Sequence, residues 1–454
     1  MNPAVLCALA AVLIGTALQL SSGMYDDRAL ALVTVATVLA VTAAVRLRLV
    51  RLGTPLGDTS AKVSPKGVPK FVPQIILGVG CAGGLAVHFF FNPTFYGDPR
   101  KLESFHWFAV AGLVLLSAYL CLHLRASLVR ARFLLLLACF AMMAIAVLRA
   151  SPKPWIDVWY LQQGAADALW HGYDPYSVAY PNIYGRMANI SYPPELLVKG
   201  RLVSFCYPPL VVLVDLPARL LLGDIRYASL GLMIFAAWAI ARLARGPEGE
   251  LAALFVLFQP RTFFVLEQSW IEPLVLAAIA LTALLSVRSK GPIAAGVALG
   301  LLLASKQYSP YFALPLFLTF PKEGRWKSLL VAAGVAAAVL VPFAAWDWHG
   351  FWRGLVTWHF LLNSRDDALS LMALWNRHGG APAFAVSLVP FLGVVLLAAT
   401  LRWRITVAQA VASAGAAFLL VVVAYKQAFC NYYWLSVGLL CAAVSALLGP
   451  EETA

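Results

Sequence analysis

The segment WIDVWYLQQGAADALWHGYDPY, residues 155–176, gathers three carboxylates, Asp157, Asp167 and Asp174, among Trp and Tyr side chains just after a long apolar run ends. A carboxylate within hydrogen-bond reach of an attacking hydroxyl can take its proton, so the cluster is a candidate general base. At about 100° per residue, Trp155, Trp159, Ala166 and Trp170 share a narrow sector of a helix. Asp157, Tyr160, Gly164 and Asp167 fall roughly opposite. Amphipathic rings favour the headgroup level, so the spacing predicts an interfacial helix whose other face carries carboxylates above the membrane. An ordinary interfacial helix with a solvated acidic face would show the same pattern. Gly172 and Pro175 end the helix.

A second ionisable group stands inside an apolar stretch. Lys306, in LLLASKQYSPYF, lies midway along 292–320, a stretch with basic residues at both ends. Such a stretch reads as two half-crossings, with Lys306, Gln307 and Tyr308 at their joint. A charge at membrane depth costs about 3 kcal/mol or more unless it meets a partner. The partner is either a carboxylate, Glu267 or Glu272 of VLEQSWIEPLVL, or the phosphate of a lipid-linked substrate. A third cluster, Lys426, Gln427, Asn431, Tyr432 and Tyr433, starts the last apolar run from the same side.

The elements that must position these groups are membrane helices. The chain has 454 residues, 61% of them hydrophobic and 12% charged, and a mean hydropathy of +0.80, more apolar surface than a soluble core could hide. A crossing takes roughly 20 apolar residues. Runs at 3–20, 29–48, 71–91, 105–124, 132–149, 327–345, 382–400, 405–424 and 433–448 satisfy that. The first run lacks a basic leader and a cleavage site and reads as a retained helix. Prolines break 205–320 into shorter pieces. Four of these, 205–222, 226–243, 251–266 and 269–287, join an outward loop to a cytoplasmic one, which needs an odd number, so one of them is re-entrant. Backbone of that kind survives only where protein or a polar cavity surrounds it.

The net charge of +13 is placed by topology. Arg46, Arg48, Arg51, Lys62, Lys66 and Lys70 face one acid, Asp58, and Arg125, Arg130 and Arg132 face none, which makes both loops cytoplasmic. Loops 150–204 and 346–381 then face outward. The excess charge reads as orientation and attraction to anionic headgroups, with no role in binding nucleic acid. The seven cysteines show no zinc spacing; Cys206 and Cys430 fall near outer ends, where a pair is conceivable. No HExxH, phosphate-binding glycine loop or GxSxG is present, and no metal or cofactor is implied.

These residues carry a resemblance to the GT-C superfamily of integral-membrane glycosyltransferases. Most similar is glycosyltransferase family 87, the polyprenyl-phosphate-mannose-dependent mannosyltransferases of bacterial envelopes. IDVWYLQQGAADALWHGYDPYS resembles its acidic first outer loop, and CYPPLVVLVDLPARLLL its YPP-led second helix. LEQSW stands where the family has a Gly-Gln pair, SKQYSP at its Lys-x-x-x-Pro, and DDALSLMALWNR near its Asn/Arg outer loop. The likeness spans about 132–448, a catalytic module, and leaves 1–131, four spans with a basic loop, without a counterpart.

The resemblance implies an all-α bundle of about 12–13 spans with interfacial helices in its outer loops. It implies an inverting transfer of a sugar, mannose, from a polyprenyl-phosphate donor to a glycolipid or glycan acceptor at the outer face of a bacterial plasma membrane. Asp157 would be the base. Lys306 would meet the donor phosphate, with Lys426 or Arg365 as second candidates. Tyr160, Asp167, Asp174, Tyr207, Gln268, Tyr308, Asn431 and Tyr432 would position substrate, although Tyr207 and Tyr432 read equally well as interfacial belt residues. Five tryptophans in 346–378 read first as a second interfacial helix; Asp366, Asp367, Asn376 and Arg377 beside them are what an acceptor site needs. A lipid or small-molecule transporter would also combine broken helices with Lys306 and Glu272, usually with internal repeats. No repeat is evident.

Overall fold

The computed structural model describes residues 1–52, 71–121, 126–185, 192–244, 246–288, 291–378, 384–400 and 405–449. Asp58, Lys62, Lys66, Lys70, His123, Arg125, Arg186, Lys290, Arg402 and Arg404 lie outside them. The protein is an all-helical bundle with one three-stranded sheet among the described residues. Eight helices are long and apolar enough, by length and composition, to cross a membrane.

In chain order, the helices begin with α1 (Pro3–Ser21), α2 (Asp27–Leu52), α3 (Phe71–Ala86), α4 (Glu103–Cys121) and α5 (Ala126–Ala150). Next are α6 (Asp157–Trp170), α7 (Pro209–Leu222), α8 (Arg226–Leu243), α9 (Glu250–Phe258), α10 (Thr262–Glu267) and α11 (Glu272–Val287). Then come α12 (Pro292–Leu303), α13 (Pro310–Phe317), α14 (Arg325–Trp346), α15 (Trp348–Trp352), α16 (Trp358–Leu361) and α17 (Leu371–Arg377). The last three are α18 (Phe384–Thr400), α19 (Val407–Val423) and α20 (Cys430–Leu448). Over the described residues, each of the nine long apolar runs is helical for most of its length.

The four-segment conflict is resolved by α7. Arg219, near its C-terminus, pairs with Asp167 of α6, and Arg226, four residues beyond its end, donates to Ser151 O at 2.7 Å. At the other end of α7, Cys206 and Tyr207, just before the helix, line the same cleft as Asp157, so both ends of α7 stand at the end of the bundle that carries α6. At 14 residues, with Pro217 inside, α7 is apolar but lies along α6 rather than crossing. The chain then descends through α8, returns through α9 and α10, and descends again through α11. Residues 292–320 do form two short antiparallel helices, α12 and α13, with Lys306 at the joint.

Close helix contact in this region depends on small residues. A Cβ at Gly296 or Gly300 of α12 would lie 2.6 Å from the carbonyl oxygens of Ser328 and Ala332 of α14, a small-xxx-small approach. The described part of residues 1–131 belongs to the same body. α1 packs on α20, α2 on α19 and α3 on α9, and one apolar cluster runs from Leu6 to Leu448.

The loop after α5 supplies the remaining architecture. β1 (Ala179–Tyr180), β2 (Leu197–Val198) and β3 (Arg201–Val203) form an antiparallel sheet in the order β1-β3-β2, with Ala179 opposite Val203 and Leu197 opposite Leu202. With α6, α7 and residues 343–362 it encloses a second, smaller apolar cluster. The expected Trp face of α6 is divided: Trp159 is buried in this cluster, while Trp155 and Trp170 are exposed. Cys206 and Cys430 are both buried and free.

Candidate active site

A cleft of about 550 Å³ opens at the α6 end of the bundle, a volume typical of small-molecule sites. Its walls come from α6, the α10–α11 and α12–α13 joints, the 347–378 segment and the start of α20. Residues 22–24 and 95–96 of the N-terminal region also reach it.

Asp157 is the first residue of α6, where the helix N-terminus favours negative charge. Its Oδ1 accepts from Val158 N at 2.8 Å and from the Tyr184 hydroxyl at 3.2 Å. Its Oδ2 accepts from the Tyr192 hydroxyl. The two tyrosine rings stack, with centroids 6.3 Å apart. Burial pushes the Asp157 carboxyl above its ordinary value, opposed by the hydrogen bonds from Tyr192, Val158 and Tyr184. A carboxylate so held is oriented, partly desolvated and aimed into a cleft, the combination expected of a proton acceptor.

Across the cleft Lys306 Nζ donates to Glu272 Oε1, which also accepts from the Tyr308 hydroxyl at 2.9 Å. The ammonium lies 4.9 Å from the centroid of the Tyr308 ring and 5.2 Å from that of Tyr432, within range of cation–π attraction. The carboxylate alternative for the Lys306 partner is thus present, and it is Glu272. Glu267 has a different role: its oxygens accept from the backbone N–H groups of Phe95 and Tyr96 at 2.5 and 2.9 Å. A second cation, Arg365, forms a two-point pair with Asp367. Arg377 also lines the cleft, its guanidinium 4.1 Å from the Tyr25 ring centroid.

No family model, curated protein or solved structure matches the chain. Its chemistry has to be read from the cleft.

Of the residues singled out from sequence, Asp157, Lys306, Arg365, Tyr207, Gln268, Asn431 and Tyr432 line this one cavity. Asn431 Oδ1 is buried without a hydrogen-bond partner. Tyr308 stands behind the lining and bonds Glu272. Lys426 turns to the carbonyl of Leu362 at 2.5 Å. Asp167 is occupied by Arg219 on the α7 side. Asp174 accepts from Tyr176 N at 2.9 Å and from Ser177 Oγ at 3.2 Å, pinning the turn after α6, and burial pushes its carboxyl up. Tyr160 packs edge-on against Trp159. Trp358 is buried against Tyr192, whereas Trp346, Trp348 and Trp352 are exposed.

Sequence reasoning passed over Tyr184, Tyr192, Phe95 and Tyr96. The tyrosines follow Asp157 by 27 and 35 residues in a stretch without periodicity, and only the three-dimensional return of that loop brings them to the carboxylate. No cluster of three metal-ligating side chains occurs among the described residues.

Proposed function

We propose that the protein is an integral-membrane glycosyltransferase. It moves a sugar, mannose by resemblance, from a polyprenyl-phosphate donor to a glycolipid or glycan acceptor. The observation that carries the reading is the oriented Asp157 carboxylate sharing a single cleft with the Lys306 and Arg365 cations. The acceptor hydroxyl oxygen attacks the anomeric carbon and its proton passes to Asp157. The bond from that carbon to the phosphate oxygen breaks on the opposite face, so the anomeric centre inverts and polyprenyl phosphate leaves. Charge grows on the leaving phosphate, and a preorganised cation stabilises it. The ammonium has three N–H donors. Glu272 takes one, which leaves two for phosphate oxygens.

The orientation follows from charge. Arg46, Arg48, Arg132, Arg242, Arg288, Lys322, Arg325 and Lys327 all belong to the end opposite the cleft, which makes that end cytoplasmic and turns the cleft outward. The eight long helices, the shorter apolar α11, α18 and α19 and the α9–α10 pair support a bundle of about 12–13 spans, with α12 and α13 as half-crossings. Membrane lipid then surrounds the site, and the donor's chain stays in the bilayer.

The test uses the purified full chain in liposomes without any ion gradient, supplied with labelled polyprenyl-phosphate mannose and envelope lipid acceptors. The proposal expects release of polyprenyl phosphate and labelled product, with loss of at least about a hundredfold in Asp157→Asn. A transporter would move the donor intact, and donor that is flipped but never cleaved would sink the proposal.

A further inference from the structure

The N-terminal region, which the resemblance leaves without a counterpart, supplies a wall of the cleft, and a buried carboxylate holds it there. Residues 87–102 connect α3 to α4 at the cleft end. The strand of chain at 92–98 is fixed at three points. Arg261 donates to Asn92 O at 3.3 Å, Asp98 N donates to Ala150 O at 3.0 Å, and between them both Phe95 and Tyr96 amides donate to Glu267. Glu267 is wholly buried at the end of α10. A buried carboxylate is retained only when its oxygens are satisfied, and these two backbone donors satisfy both.

The next residue along is Gln268, and it lines the cleft together with Phe95, Tyr96, Phe264 and Asp157. Phe95 packs against Phe264, ring centroids 6.1 Å apart, and against Tyr96 at 5.1 Å. Tyr96 is half-buried and close enough to two carboxylates that they add to the effect of burial in raising its phenol to about 12, Glu267 ahead of Asp157. The phenol therefore stays protonated at neutral pH. Its hydroxyl has no hydrogen-bond partner among the described residues, in contrast to the hydroxyls of Tyr184 and Tyr192 beside it.

We infer that Tyr96, held in place by Glu267, contacts the acceptor: its ring and hydroxyl select an acceptor that presents a sugar hydroxyl to Asp157. This rests on the glycosyltransferase reading. The side of the cleft follows from the chemistry, because the base takes the acceptor's proton, so a free donor beside the base meets the acceptor rather than the departing phosphate. Glu267 is a positioning residue that acts through the backbone of 95–96.

Two measurements test the inference. Amide hydrogen exchange on the full chain in nanodiscs should show Phe95 and Tyr96 protected in the wild type and at least tenfold faster in Glu267→Gln, whose amide offers only one acceptor oxygen, with α20 unchanged. Unchanged exchange at 95–96 overturns the clamp, and this readout needs no activity. In transfer assays Tyr96→Phe should raise the acceptor KM about tenfold while leaving the donor KM within twofold, and Glu267→Gln should reproduce that split. Equal effects on both KM values, or none on either, overturn the acceptor role. If the wild type transfers no sugar, the function fails separately while the exchange result still reports on the clamp.

Discussion

Tyr192 donates its hydroxyl hydrogen to Asp157 Oδ2 while Tyr184 serves Oδ1, so both oxygens of the candidate base are held before any substrate arrives. Hydrogen bonds to a carboxylate favour its charged form. Removing one raises the Asp157 pKa further, and a base must be ionised to act. Tyr192→Phe should therefore shift the acid limb of the kcat/KM profile upward by about 1–2 pH units, the equivalent of one hydrogen bond to a charge. Activity should be reduced at neutral pH and recover as pH rises. A limb that stays in place would show that Asp157 is not the titrating group.

The same carboxylate makes a prediction about stability. Burial raises its pKa in the folded protein above the unfolded value. A carboxyl shifted in that direction contributes most below the unfolded pKa, about 3.9, and that contribution is lost as pH rises through the raised folded value. At neutral pH the folded protein carries this charge at a cost. Asp157→Asn should therefore be inactive yet at least as heat-stable as the wild type at pH 7, with the difference vanishing towards pH 4. Thermal unfolding in detergent across that range measures it, and an Asn variant less stable at pH 7 would contradict the burial argument.

Asp167 shares α6 with Asp157 but should behave differently. Its pair with Arg219 is substantially exposed, with 31% and 45% of the two side chains accessible, and such pairs are worth about 0–1 kcal/mol. Asp167→Asn should leave transfer within about twofold and shift the melting temperature only slightly. A loss comparable to that of Asp157→Asn would move the catalytic assignment along the helix.

How much of this could be read from the chain depends on range. A run of apolar residues long enough to span the hydrocarbon layer announces a helix by itself, which is why α1 to α5, α14 and α18 to α20 are legible. α7 is not, because its composition matches that of a crossing helix and only the placement of Tyr207 in the cleft at one end and of Arg219 against Asp167 at the other turns it aside. Lys306 is legible as an anomaly, since an ammonium in apolar surroundings demands an anion, but Glu267 and Glu272 are equivalent candidates in sequence. Their separation comes from the positions around Ser269, whose backbone adopts φ +57° between α10 and α11. Glu267 is directed to the Phe95 and Tyr96 amides, and Glu272 to Lys306. Asp174 has the right residue type for chemistry, yet the amide of Tyr176 claims it. Residue type shows which groups can do chemistry; long-range packing decides which are left available for it.

The Lys306–Glu272 pair allows structural and catalytic roles to be separated. Glu272 is fully buried and Lys306 nearly so, and Glu272 Oε2 has no hydrogen-bond partner. Removing one member leaves the other as an uncompensated buried charge, which costs about 3–5 kcal/mol, whereas replacing both by neutral groups is often close to neutral. Lys306→Met and Glu272→Gln should each lower stability sharply, and the double variant should recover most of the loss. Activity should not follow stability. If Lys306 also meets the departing phosphate, the double variant folds but transfers sugar far more slowly than the wild type, with kcat reduced more than the donor KM is raised, because the lost interaction is strongest in the transition state. Thermal unfolding and kinetics on all four proteins complete the cycle. A double variant that is both stable and active would confine Lys306 to balancing Glu272 and leave the phosphate to Arg365.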